Sequence, residues 1–309
     1  MIITPLMTTH IPFGLQHYIV GGFNQNVNML FTLFSFVIND LYLLKTPIPV
    51  RNKIAIFLRY SFYTLMCLTP FIPKPKTIKV YNYTITGLSF SNLHYLMGEI
   101  FVKNEYFFVA DTTKPIILDC GSNIGVSVIY FKYLYPDSHI YAFEPDPETF
   151  RLLEKNVKSN NLTHVTLHNC ALSDKEHEID FYISHEPGSL MMSALKGRMS
   201  DTKIRVKAIS LGEFISGKDI DFMKMDIEGS EGKVLMDIVR RGQLSHIKEL
   251  IMEYHNNISD NTIPLSKILE LLETQFKYQV DATSIPIYSK NKFQDVLVLA
   301  FKNENMPQT

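Results

Sequence analysis

Cysteine is scarce. Cys67, Cys120 and Cys170 stand at no CxxC or other ligand-like spacing, which excludes a disulfide framework and a structural zinc site and fits a reducing compartment. They read as small apolar residues of the interior. Charge of one sign is equally absent as a long run: 30 Lys and Arg balance 31 Asp and Glu, so the chain lacks the basic footprint that a nucleic-acid duplex requires. The first 39 residues contain no Lys, Arg, Asp or Glu, and they lack the basic start and small-residue cleavage site of a secretory leader. The expected setting is cytoplasmic, and the Asn-x-Ser/Thr triplets at Asn82, Asn161 and Asn257 then read as chance matches.

Apolar runs of membrane-spanning length are missing too. Met29 to Ile38 is closed by Asn39 and Asp40, and Ile54 to Leu68 is interrupted by Arg59 and ended by Pro70 and Pro73. A span needs roughly 18 to 20 uninterrupted apolar residues. Residues 1–76 are therefore expected to form an apolar, mainly helical extension that packs on the main domain or on a second copy in a homo-oligomer. Lys45, Arg51 and Lys53 between the runs suit either a solvated loop or peripheral contact with a membrane.

What is present is enough apolar material, 46% of the chain, to bury a large core. Residues 77–113 read as a hairpin, Ile78 to Ile85, and a short helix. From residue 114 to 309 strands and helices alternate: strands at Ile116–Leu118, Ile140–Phe143 and Val165–Leu167, helices at Val126–Leu134 and Glu148–Ser159. Further short strands fall at Ile179–Ile183 and Ile204–Ile209, and core strands resume at Asp221–Met225 and Leu250–Met252. Such alternation predicts an α/β, doubly wound, Rossmann-like parallel sheet with helices on both faces. Tyr278–Val280 and Val296–Phe301, joined by a polar loop with no room for a crossover helix, should close it with an antiparallel hairpin.

The chemistry concentrates in Ile116-Ile117-Leu118-Asp119-Cys120-Gly121-Ser122-Asn123-Ile124-Gly125. An acid ends a buried strand and glycines open a helix, so the turn is tight and free amides point at a ligand. A dinucleotide fingerprint would need glycines where Asn123 and Val126 stand, which disfavours a nicotinamide-dependent oxidoreductase. A second strand ends at Phe143-Glu144-Pro145, where an acid is placed to accept hydrogen bonds from ribose hydroxyls.

With Asn169-Cys170-Ala171-Leu172-Ser173-Asp174 and above all Met223-Lys224-Met225-Asp226-Ile227-Glu228-Gly229-Ser230-Glu231, these pieces resemble the FkbM family of methyltransferases, from about Pro115 to His255. The resemblance implies a seven-stranded methyltransferase sheet, S-adenosyl-L-methionine as donor and a hydroxyl acceptor on a small molecule or glycan. Carried over by position, Asp119, Gly121, Asn123 and Gly125 would line the methionine and ribose side. Glu144 would hold the ribose, Cys170 and Ala171 the adenine, and Asp226 would face the reacting methyl.

A hydroxyl is a poor nucleophile at neutral pH and needs a base or a cation. Asp226, Glu228 and Glu231 follow one strand, and Glu253 and His255 follow the next. His255 is the first choice as general base, because imidazole titrates near neutrality. A divalent cation held by Asp226 and Glu253 is the alternative. The loop Pro187–Ser193 is the expected wall of the acceptor pocket. A different class of function, a non-catalytic S-adenosylmethionine-binding subunit of a glycan-assembly complex, fits the same motifs.

Overall fold

A computed structural model describes Leu43, Thr46 and residues 48–69, 71–183, 202–256, 263–282 and 294–302. The expected acceptor loop, residues 187–193, the turn of the closing hairpin and residues 1–42 lie outside them. Of the extension, Val50–Leu68 is a 19-residue helix, α1. The hairpin follows as β1 (Thr77–Val80) and β2 (Tyr83–Thr86), antiparallel with Val80 opposite Tyr83, and then α2 (Phe90–Met97), capped by the Ser89 hydroxyl on the Asn92 amide. A π turn, Gly98–Val102, leads toward the core.

Seven strands form the main sheet: β3 (Ile116–Cys120), β4 (His139–Phe143), β5 (Val165–His168), β9 (Ile220–Met225), β10 (Ile247–Asn256), β11 (Phe276–Ala282) and β12 (Gln294–Lys302). Their order across the sheet is β11-β12-β10-β9-β3-β4-β5. β12 runs antiparallel between β10 and β11, and the remaining pairs are parallel, so the expected closing hairpin is there with its later strand inserted inward. The short strands β6 (Ala171–Ser173), β7 (His177–Ile183) and β8 (Thr202–Ser210) form a separate three-stranded sheet.

Successive residues of each central strand feed opposite faces. Ile117, Ile140, Phe222 and Ile251 pack with α3 (Val126–Leu134) and with residues of α1, α2 and the π turn. Leu118, Met223 and Met252 pack with α6 (Glu231–Arg240) and α7 (Leu265–Glu273). Between β8 and β9 a short helix, α5 (Leu211–Ile215), starts at a Ser210 cap. α4 (Pro147–Ser159) starts where Asp146 accepts the Thr149 amide and Pro147 fills the first turn, a position that needs no amide donor.

The lead-in is fastened to this core by an unusual match. Asn156 and Asn160 of α4 each pair both ends of the side-chain amide with β2 backbone, Asn156 with Thr86 and Asn160 with Thr84, at 2.7–2.8 Å. Four helical residues rise about 6 Å and two strand residues about 6.6 Å, so one helix face can act as a strand's missing neighbour. Phe108 then stacks on Phe222 of β9 at 4.1 Å, beside Phe131 of α3. Cys120 and Cys170 are buried as expected, whereas Cys67 is only half-buried.

Candidate active site

The turn after β3 takes left-handed backbone at Gly121 (φ 85°), Asn123 (φ 49°) and Gly125 (φ 87°). At Gly121 the requirement is absolute: a Cβ there would sit 1.8 Å from the Asp226 carbonyl oxygen, at the point where the β3 and β9 turns cross. The amides of Gly121 and Ser122 donate to the Phe143 carbonyl at 3.1 and 2.9 Å, which locks the turn against the end of β4. Glu144 receives the Asn123 amide on Oε2 at 3.0 Å and the Asp146 amide on Oε1 at 2.9 Å. Burial pushes the Glu144 carboxyl up to about 8 against those two donors.

A cavity of about 580 Å³, its open mouth included, lies over the carboxyl ends of these strands. Gly121, Asn123, Glu144 and Pro145 line one side, Phe143, Cys170, Ala171, Leu172 and Phe181 an apolar second side, and Asp226, Ile227, Glu228 and Ser230 the third. Six expected residues, Gly121, Asn123, Glu144, Cys170, Ala171 and Asp226, thus meet around one space.

Asp119 and Gly125 do not line it. Asp119 is fully buried beneath the turn, where its carboxylate accepts the Ser127 hydroxyl at 2.6 Å and faces Lys224 at 3.7 Å. Burial raises its pKa and Lys224 opposes the rise. A Cβ on Gly125 would meet Leu153 at 2.6 Å, so the close approach it permits is of α4 to α3. Lys224 is itself buried, bonded to the Gly121 carbonyl and 3.5 Å from Asp226, and these partners hold its charge against the cost of burial.

On the third side the turn Asp226-Ile227-Glu228-Gly229 again uses positive φ, 55° at Glu228 and 101° at Gly229. It wraps the fully buried Glu231, whose Oε1 accepts the amides of Ile227 and Gly229 at 3.3 and 2.9 Å. That oxygen is also 2.8 Å from Nδ1 of His255. His255 is no loop residue: it lies on β10, 1% exposed, one layer behind the cavity wall. Its Nε2 faces Glu228 at 3.2 Å, Asp295 at 3.7 Å and Asp226 at 3.8 Å.

Among the described residues, two groups of three could share a cation, Asp226, Glu228 and His255, and Glu253, His255 and Asp295, with Asp226 in one and Glu253 in the other. Burial and then Asp226 drive the Glu253 carboxyl well above its usual range.

The lead-in contributes groups that the sequence did not announce. Glu105 is pushed up to about 8 by burial and by Glu99, and Asp226 and Lys224 also act on it. The Tyr106 ring lies 5.4 Å from the Lys224 ammonium. Asp295 had only a faint signal, an acid opening the apolar strand Val296–Phe301. Glu105 and Tyr106 had none, because their place depends on how the π turn delivers the chain to β9.

A glycine turn, an acid-tipped second strand and an ionisable third wall on this sheet define a cofactor-binding domain of the methyltransferase class. The chain belongs to the FkbM methyltransferase family: the family described as Methyltransferase FkbM domain matches residues 119–280. It is 30% identical over 170 residues to Methyltransferase 1 of Beauveria bassiana, a stretch that makes up 48% of this chain and 66% of that protein. It is 28% identical over 191 residues, 55% of this chain and 76% of the other, to 2-O-methyltransferase NoeI of Sinorhizobium fredii. To Hexuronic acid methyltransferase AglP of Haloferax volcanii it is 25% identical over 151 residues, 48% and 59% of the two chains. The matched stretch thus spans under two thirds of the first and the last of these relatives.

Proposed function

We propose that residues 114–309 are the catalytic unit of an S-adenosylmethionine-dependent O-methyltransferase acting on a hydroxyl of a small molecule or glycan, with 77–113 as its lead-in and 1–76 as an extension. The names of two relatives, a 2-O-methyltransferase and a hexuronic acid methyltransferase, favour oxygen as the methylated atom and a sugar as the acceptor. The donor fits the cavity's chemistry. Glu144 keeps lone pairs for a ribose diol after its two amide bonds, Gly121 and Asn123 present backbone at the turn, and Cys170, Ala171 and Leu172 offer an apolar wall for a planar base. Asp119 acts from beneath, by holding the turn and Lys224. When bound, the donor supplies an electrophilic methyl group on a sulfonium.

The observation that carries the reading is the Glu231–His255 pair behind Asp226 and Glu228. Glu231, fixed by two backbone amides, accepts the Nδ1 proton and leaves Nε2 facing the two carboxylates that line the cavity. Asp226 accepts the hydrogen bond of the acceptor hydroxyl. As the oxygen attacks, its proton passes to the Asp226 carboxylate and from this carboxylate edge to His255 Nε2, and Glu231 stabilises the imidazolium that forms. Asp226 thus orients the acceptor, and His255 serves as base at one remove.

His255→Ala tests this. We expect turnover on a sugar hydroxyl to fall by about 10³-fold, within the range that general-base removal costs, while S-adenosylhomocysteine still binds in calorimetric titration. Unchanged turnover removes His255 from the reaction. Product binding by the wild-type chain with no turnover on any hydroxyl acceptor would favour the non-catalytic subunit.

A further inference from the structure

Helix α1 takes no part in the chemistry above, and its two sides differ sharply. Ile56, Tyr60, Tyr63 and Thr64 are buried. Tyr60 stacks on His94 of α2 at 4.6 Å, and the Tyr63 hydroxyl binds the β1 backbone at Lys79. On the opposite side Val50, Ile54, Leu58, Phe62 and Leu65 are each more than half exposed. At about 100° per residue these five fall in one stripe roughly 120° wide, and it runs about 22 Å along the helix. Just past the helix end Phe71 is 95% exposed. A continuous row of large apolar side chains on the surface marks a contact with something else.

Charge indicates what that is. The whole chain is near neutral, at −1, yet residues 41–98 hold seven Lys and Arg and no Asp or Glu. Arg51 on α1 itself and Lys74 just past its end are exposed, and Lys74 caps the carbonyls of Met66 and Thr69 where α1 ends, beside Phe71. A second copy presenting the same stripe would bring further cations of this region and none of its own acids to the contact. An anionic lipid surface would pair with them and cover the stripe. Among the described residues no helix is long and apolar enough to cross a membrane, so the contact lies in the plane of the surface.

We propose that α1 is an interfacial helix that seats the chain on an anionic membrane, with its apolar stripe at the headgroup boundary and the flanking Lys and Arg on lipid phosphates. Because the buried side of α1 is locked onto α2 and β1, the catalytic unit is held against that surface in a fixed orientation. This inference does not depend on the identity of the methyl acceptor.

Flotation of the full chain with vesicles tests it, using phosphatidylcholine alone and phosphatidylcholine with about a third phosphatidylserine. We expect binding to the anionic vesicles that weakens as salt is raised, and little binding to the neutral ones. The variant Leu58→Glu, Phe62→Glu should bind less by on the order of tenfold or more, with an unchanged melting midpoint because both side chains are exposed. Failure of the wild-type chain to float with anionic vesicles would overturn the proposal, as would equal binding to neutral vesicles or undiminished binding by the variant. A dimer in sedimentation velocity that the variant dissolves, without flotation, would assign the stripe to a second copy instead.

Discussion

The two halves of the cavity are made of different material. Around Gly121 and Glu144 the wall is backbone: amides, carbonyls and one acid that two amides hold in place. Around Asp226 and Glu228 it is ionisable side chains, backed one layer behind by His255, with four carboxylates within 4 Å of that one imidazole. The first half suits an invariant ligand, since backbone geometry changes little with sequence. The second suits proton traffic, since only side chains titrate. The two halves can thus be varied separately on one sheet.

The contrast can be broken by experiment, most severely at Glu144. Glu144→Ala should weaken S-adenosylhomocysteine binding by about 100-fold, the loss of a buried, pre-positioned hydrogen-bonding anchor for a diol. Calorimetry reads it, and an unchanged affinity would mean that the backbone half holds something else. Asn156→Ala tests whether the lead-in is fastened independently of either half. It strips two β2 backbone groups and the Ile124 carbonyl of their partner and should cost about 2 kcal/mol in urea unfolding. A loss below about 0.5 kcal/mol would show that β2 is held by its apolar contacts alone.

The pH dependence of stability sharpens the same division. Burial pushes Glu144 and Glu105 from 4.5 to about 8 and Glu249 to about 7. An acid whose folded pKa is raised stabilises the fold fully below its unfolded value and loses that contribution as pH climbs through the folded one. The ligand-free chain should therefore lose stability as pH rises between about 5 and 8. Glu144→Gln or Glu105→Gln should flatten the curve, and a curve unchanged by either would place those carboxyls in water. The smallest effect is expected at Glu231→Gln, which keeps the shape but removes the anion behind His255. Turnover should fall about tenfold, and the acidic limb of the rate profile should move to lower pH because the imidazolium loses its partner.

The half around Gly121 and Glu144 was legible because its residues answer to local rules. Gly121 is dictated by the carbonyl of Asp226, and Glu144 by its place at a strand tip, and both leave marks in a short window of sequence. Gly125 shows the limit of that reasoning: the need for glycine was correct, but the atoms that require it belong to Leu153. The alternation of strands and helices gave the sheet, and the missing crossover helix gave its antiparallel end. His255 reads as a loop residue because the apolar run of β10 breaks at Glu253, whereas pairing with β12 extends the strand to Asn256. Glu105, Tyr106 and Asp295 depend on packing between segments far apart in the chain, and no window of sequence contains that information.

The crossing of the two turns also sets the order in which the molecule can come into being. Lys224 bonds the Gly121 carbonyl across 103 positions, and both the floor and the far wall of the cavity rest on that junction. A ribosome that has delivered the glycine turn and the acid at β4 has made no pocket, because the loop from β3 to β9 is still open and its closure carries the largest entropic cost in the central sheet. Ligand binding during refolding should therefore appear last and all at once, as a signal that the middle of the sheet has shut.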